Sequence, residues 1–249
     1  MSIIIKSEPE IASMRQAGKI VAGVLEMLRS ELKPGMKTKE LDDIAARELE
    51  KLGAKASFKG YHGFPASLCV SINDEVVHGI PGSRVIKDGD IVSLDFGAIF
   101  DGFQGDSAIT VGVGKTSSEA KRLMETTEAA LKAGISAAYD GARLGDISAA
   151  IQEYTESRGY SVVREYTGHG IGRELHEDPQ IPNFGLAGTG PELKKGMTLA
   201  IEPMVNAGDW RTKVGRDKWL VFTADGSLSA HFEHTIAITD GEPEVLTAI

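Results

Sequence analysis

Apolar residues recur along the first part of the chain with the period of a helix. Ile11, Met14, Val21, Leu25 and Leu28 lie three, four or seven residues apart, a spacing that gathers them on one face. Ser7 precedes the run, Glu10 stands three residues on and Pro9 falls in the first turn, so this helix is expected to open with a capping box. Pro34-Gly35 closes the unit, and a second helix is expected over residues 38–52, stopped by Gly53. The pattern then changes to runs of strand character at 67–72, 91–98 and 103–113. Helical spacing returns at 118–138 and 146–158, and strands again at 197–205, 219–223 and 231–239. Residues 178–191, rich in Gly and Pro, read as a loop. The mixture is that of an α/β (α+β) protein.

The pattern also repeats. Shifted by about 106 residues, Gly35 falls on Gly141, Leu41 on Ile147, Ile44 on Ala150 and Gly53 on Gly159. Shifted by 107, Asp88-Gly89-Asp90-Ile91-Val92-Ser93-Leu94-Asp95 falls on Lys195-Gly196-Met197-Thr198-Leu199-Ala200-Ile201-Glu202. A looser match sets Asp106-Ser107-Ala108-Ile109-Thr110 against Glu233-His234-Thr235-Ile236-Ala237. Two similar halves would each lend two carboxylates to one site. The period is far longer than that of solenoid repeats.

Composition narrows the function classes. The 249 residues suffice for a hydrophobic core without staples, and 41% hydrophobic with 25% charged residues is an ordinary globular balance. No apolar run approaches the ~20 residues of a membrane span. The opening residues lack a secretory signal, and Cys69 is the single cysteine, so no internal disulfide forms and a cytoplasmic location is expected. A net charge of −9 disfavours nucleic-acid and membrane partners.

Several residues then suggest chemistry. Asp95 follows Ile91-Val92-Ser93-Leu94 and precedes Phe96, a setting for burial, and Asp101-Gly102 is a hairpin signal that would bring the strand of Asp106 beside it. Buried like charges at close range need a cation. Asp101 itself reads as a solvated turn residue. His169 lies between glycines in Thr167-Gly168-His169-Gly170-Ile171-Gly172, with His176 seven residues on. Glu202 ends an apolar strand before Pro203, and Glu233 lies in His231-Phe232-Glu233-His234. Four carboxylates and an imidazole make an oxygen-rich set suited to Mn, Fe, Co or Zn. Gly112-Val113-Gly114-Lys115-Thr116 is not a phosphate loop, because Ile109 stands where that motif needs glycine. Gly168-x-Gly170-x-Gly172 lacks dinucleotide-binding spacing. Cys69 has no base paired with it by spacing and reads as a buried thiol.

Taken in order, these segments resemble the type I methionine aminopeptidases over essentially the whole chain. The resemblance rests on Gly60-Tyr61-His62-Gly63-Phe64-Pro65, Ser71-Ile72-Asn73-Asp74-Glu75-Val76-Val77-His78-Gly79-Ile80-Pro81, Ser93-Leu94-Asp95-Phe96-Gly97, Gly102-Phe103-Gln104-Gly105-Asp106, Gly168-His169-Gly170-Ile171-Gly172, His176-Glu177-Asp178-Pro179, Ile201-Glu202-Pro203-Met204 and Phe232-Glu233-His234-Thr235. It implies the pita-bread fold, a pseudo-two-fold antiparallel sheet with helices on its outer face. One catalytic domain would span 1–249, with halves at about 8–113 and 117–240 and no separate amino-terminal extension. It implies hydrolytic removal of the N-terminal methionine from peptides and nascent proteins with a small second residue, through a metal-bridging water or hydroxide. Two divalent cations (Co, Mn, Fe, Zn or Ni) would be held by Asp95, Asp106, His169, Glu202 and Glu233, with Asp106 and Glu233 shared. His169 has no counterpart in the repeat, so one cation would be tied to imidazole and the other to carboxylates and water alone.

Glu202 would also move the proton of the attacking water, and His78 and His176 would contact the substrate amide. Tyr61, His62, Phe64, Cys69 and Trp219 would line the methionine pocket. Leu175 departs from the family's usual phenylalanine and bears on the shape of that pocket. The chain lacks the helical insertion of type II enzymes. Contact with the ribosome would be transient, and the chain a monomer. The rivals on this fold are an Xaa-Pro aminopeptidase or dipeptidase, whose large extra domain has no room before residue 60, and a binding protein or metal-free amidinohydrolase, in which metal ligands would be lost.

Overall fold

The computed structural model describes residues 2–249; Met1 lies outside the described residues. The elements are α1 (Glu8–Glu31), α2 (Thr38–Lys51), β1 (Lys55–Ala56), β2 (Leu68–Ile72), β3 (Glu75–Val77), β4 (Ile91–Phe100), β5 (Phe103–Gly112), α3 (Ser118–Ser136), α4 (Leu144–Glu156), β6 (Ser161–Val162), β7 (Thr167–Gly170), β8 (Glu177–Pro182), β9 (Thr198–Ile201), β10 (Met204–Asn206), β11 (Thr212–Val214), β12 (Val221–Thr223), β13 (Ser229–His231), β14 (Glu233–Ala237) and β15 (Glu244–Val245). The Ser7–Glu10 capping box forms as expected.

The large antiparallel sheet runs β1-β4-β5-β14-β9-β7-β8, with β2 on β4 and β15 on β14. Alternation along its strands explains the layering. On β4, Val92, Leu94, Phe96 and Ala98 pack with Val21, Leu25 and Leu28 of α1 and Leu41 and Ile44 of α2. On β9 and β14, Leu199, Ile201 and Ile236 pack with Leu131 of α3 and Ile147 and Ile151 of α4. The helices therefore cover one face of the sheet, and the intervening residues are left to the other. This is the pita-bread architecture.

Two expected strands are interrupted. The run at 197–205 divides into β9 and β10, and that at 231–239 divides at Phe232 into β13 and β14. Pro203 has no backbone N–H to continue a ladder. The chain leaves the large sheet at Glu202-Pro203 for a three-stranded sheet of β13, β10 and β6, and returns from it at Phe232. Residues 219–223 shorten to β12, and the expected loop 178–191 begins inside β8, which pairs with β7. No helix among the described residues is long and apolar enough to cross a membrane.

Candidate metal centre

The register of the large sheet assembles the site. Asp101 and Gly102 both have positive φ, and Phe100 pairs with Phe103 across them, the geometry of a two-residue hairpin turn. That turn pairs Asp95 with Ala108 and Gly97 with Asp106. The two aspartates are therefore diagonal neighbours on one face rather than directly opposed. Glu233 pairs with the same Ala108, Thr235 pairs with Ala200, and His169 pairs with Ala200 from the far side. Glu202 follows two residues after Ala200. Period-two alternation puts Asp95, Asp106, His169, Glu202 and Glu233 on the face away from the helices, with alanines between them.

The side chains converge. One ligand atom each from Asp106, His169 and Glu233 lie within 4.8 Å of one another, and all three residues are buried. Glu202 Oε1 is 3.5 Å from His169 Nε2. Asp95 and Glu202 fall outside the tight trio but line the same cavity of about 290 Å³. His169 Nδ1–H donates to the Gly170 carbonyl at 2.8 Å, which leaves Nε2 with its lone pair directed at the carboxylates. Asp95 Oδ1, Asp106 Oδ1 and Glu233 Oε1 are buried and have no hydrogen-bond partner among the described residues.

Burial pushes the Asp95 carboxyl up to about 7. Burial, followed by the neighbouring carboxylates, raises Asp106, Glu202 and Glu233 as well. Such a cluster is unfavourable as bare anions, and divalent cations would relieve both the desolvation and the repulsion. The oxygen-rich donor set with one imidazole fits a divalent metal.

Every residue expected at the site lines this cavity: Tyr61, His62, Phe64, Cys69, His78, His176 and Trp219 join the five metal-ligand candidates. Tyr61 Oη and His176 Nδ1 are 2.6 Å apart, and the His176 and His169 rings meet edge-to-face at 4.3 Å. Phe64 and Trp219 stack edge-to-face at 5.1 Å. Phe64 belongs to both core and cavity, being only 4% exposed. The Cys69 thiol, opposite Asp95 across the β2–β4 pair, is raised by burial and by the nearby carboxylates, so it stays a neutral thiol. Leu175 is buried and lines the cavity wall.

Phe58 also lines the cavity, and His231 lies behind Glu202 and Glu233; neither stands out in the sequence. Phe58 carries no motif. His231 stands two residues before Glu233, a period-two signal that Phe232 obscures.

His78 and His62 have positive φ, a strained conformation for these residues and one that clusters at functional sites. At His78 it follows from the chain crossing closely over β2. Gly79 accepts from Val70 N–H at 2.9 Å, and a side chain at 79 would strike the Val70 carbonyl.

Burial, and then His176, push the His78 imidazole down to about 4. The unfolded chain takes up this proton near pH 6.5, so the contribution to stability is complete above 6.5 and is lost as pH falls towards 4. The loss should be no more than about 3 kcal/mol. Denaturation midpoints of the metal-free protein at pH 7 and pH 4 should therefore differ less in His78→Asn, whose asparagine tolerates the same backbone. Parallel pH profiles would show that His78 is not held neutral.

A family model described as metallopeptidase family M24 matches residues 12–240. The chain is 56% identical to methionine aminopeptidase 1 of Bacillus subtilis, over 99% of this chain and 100% of that protein. It is 55% identical to the methionine aminopeptidase of Clostridium perfringens, over 99% of each. The crystal structure of methionine aminopeptidase from Thermotoga maritima superposes with a TM-score of 0.98 at 50% identity, covering all of both chains.

Proposed function

The chain belongs to metallopeptidase family M24 and, within it, is a methionine aminopeptidase; from that premise we propose that its substrates are peptides and nascent proteins whose second residue is small, and that Asp95, Asp106, His169, Glu202 and Glu233 hold a pair of divalent cations. The observation that carries this reading is the convergence of four carboxylates, Asp106 and Glu233 buried and Asp95 and Glu202 partly so, with the buried His169 at one cavity with aromatic walls. The cations would supply Lewis-acid polarisation of the scissile carbonyl and a lowered pKa for water.

The chain's own groups do the rest. Glu202 takes the proton of the attacking water and returns it to the leaving amine. Its side chain is 14% exposed where that of Glu233 is 3% exposed, which suits a carboxylate that exchanges protons with the cavity. His78 and His176 hold the substrate amide and steady charge developing on its oxygen. Tyr61 orients His176 through the Nδ1 contact. Phe64, Trp219, Tyr61 and Cys69 form the pocket for an unbranched thioether, which packs well against aromatic edges, with His62 beside them and Leu175 adding room that a phenylalanine would fill.

The repeated pattern is read as two pseudo-symmetric halves meeting at β5 and β14, each contributing a helix pair and two carboxylates. The enzyme is read as a cytoplasmic monomer that meets the ribosome only transiently.

After reconstitution with metal, Met-Ala-Ser should be hydrolysed and Met-Lys-Ser should be a poor substrate, because on this reading the site takes only a small second side chain. Equal kcat/KM for the two peptides would contradict the small-residue rule.

A further inference from the structure

His231 ends β13 and is only 1% exposed. Its backbone is pinned to β5 from both sides. The His231 N–H donates to Thr110 Oγ1 at 2.9 Å, and Thr110 Oγ1 donates to the His231 carbonyl at 2.8 Å. The main chain at His231 is thus fixed, yet neither Nδ1 nor Nε2 of its buried ring has a hydrogen-bond partner among the described residues. Leaving a buried N–H unpaired costs about 1–3 kcal/mol. Two carboxylates lie nearest its Nε2, 3.9 Å from Glu202 Oε2 and 3.9 Å from Glu233 Oε2, and the His78 imidazole is also within electrostatic range. Glu202 is thus bracketed by two imidazoles, with Oε1 towards His169 and Oε2 towards His231.

We propose that His231 is a positioning residue of the metal centre, whose Nε2–H holds the outer oxygens of Glu202 and Glu233, directly or through one water, and so fixes how both carboxylates present themselves to the cations. The inference rests on the reading of Glu202 and Glu233 as metal ligands. A 3.9 Å separation is beyond a direct hydrogen bond but is spanned by a small carboxylate rotation or a bridging water. Partners of this kind orient direct ligands, and their loss weakens metal binding by about 10–100-fold. Glutamine at 231 keeps an N–H donor of similar reach, whereas leucine fills the space with none.

The test uses the full chain stripped of metal and titrated anaerobically with Co²⁺, by calorimetry and by the visible absorption of the bound ion. His231→Leu should weaken Co²⁺ binding about 10–100-fold and change the absorption, while His231→Gln should stay within about threefold of the wild type with a like spectrum. Circular dichroism of the metal-free variants verifies the fold. Wild-type affinity in His231→Leu would overturn the proposal. So would equal damage in His231→Gln and His231→Leu, which would make the imidazole a direct ligand or a packing group. His169→Ala separates the role of His231 from that of the metal centre itself. If it binds Co²⁺ as tightly as the wild type, the metal-centre reading itself fails. If it loses binding while His231→Leu does not, only the role of His231 fails.

Discussion

Glu202→Gln should lower kcat on Met-Ala-Ser by about 10²–10⁴-fold at saturating metal, with little change in KM. The reason is positional. Glu202 leaves the large sheet at the Pro203 break, so its carboxylate projects from the end of β9 rather than from the middle of a ladder. Oε1 faces His169 at 3.5 Å, and the side chain keeps more contact with the cavity than Glu233 does. Glutamine has the same shape, so the pocket and the fold remain, but an amide cannot accept and return a proton. Stopped-flow or coupled-assay turnover at several metal concentrations separates loss of proton transfer from loss of metal. Turnover within tenfold of the wild type would assign the proton shuttle elsewhere.

Asp106→Ala should lower the number of tightly bound cations from two per chain to at most one and reduce activity by more than about 100-fold, since loss of a residue that merely orients a ligand already costs 10–100-fold. Asp106 sits in the tight trio with His169 and Glu233 and lies diagonally beside Asp95, where one carboxylate can serve two ions. The same change should have the opposite sign in the metal-free protein. Burial and the Asp95 charge raise the Asp106 carboxyl well above its ordinary range, so removing it relieves repulsion, and metal-free Asp106→Ala should be at least as resistant to denaturation at pH 7 as the metal-free wild type.

The ease with which different parts could be read from the sequence has physical causes. The capping box at Ser7, the helix face of Val21, Leu25 and Leu28, and the Asp101-Gly102 turn are local signals, and each forms as expected. Of the candidate site, the setting of Asp95 was legible because strand alternation is also local: it falls between apolar neighbours that face the helices, whereas Tyr61, His62, Phe64, Cys69 and Trp219 were named only through the family resemblance. What the sequence did not specify was register and sheet exchange. The two-residue turn fixes the pairing of Asp106 with Gly97, but nothing local says that β14 joins β5 at Ala108, and an apolar run such as 197–205 reads as one strand until Pro203 diverts it into a second sheet. His231 was missed for the same reason. Its proximity to Glu202 is made by β10–β13 pairing, in which His231 lies opposite Met204, not by any spacing along the chain.

If Asp95, Asp106, His169, Glu202 and Glu233 hold a pair of cations used in catalysis, metal occupancy and turnover must rise together. Anaerobic calorimetric titration of the metal-free chain with Mn²⁺ or Co²⁺, with Met-Ala-Ser turnover followed at each step, measures both. Two cations should bind per chain in the wild type and at most one in Asp106→Ala, with activity following occupancy. Full activity after a single equivalent with no second binding event, or the same stoichiometry in Asp106→Ala, would contradict it.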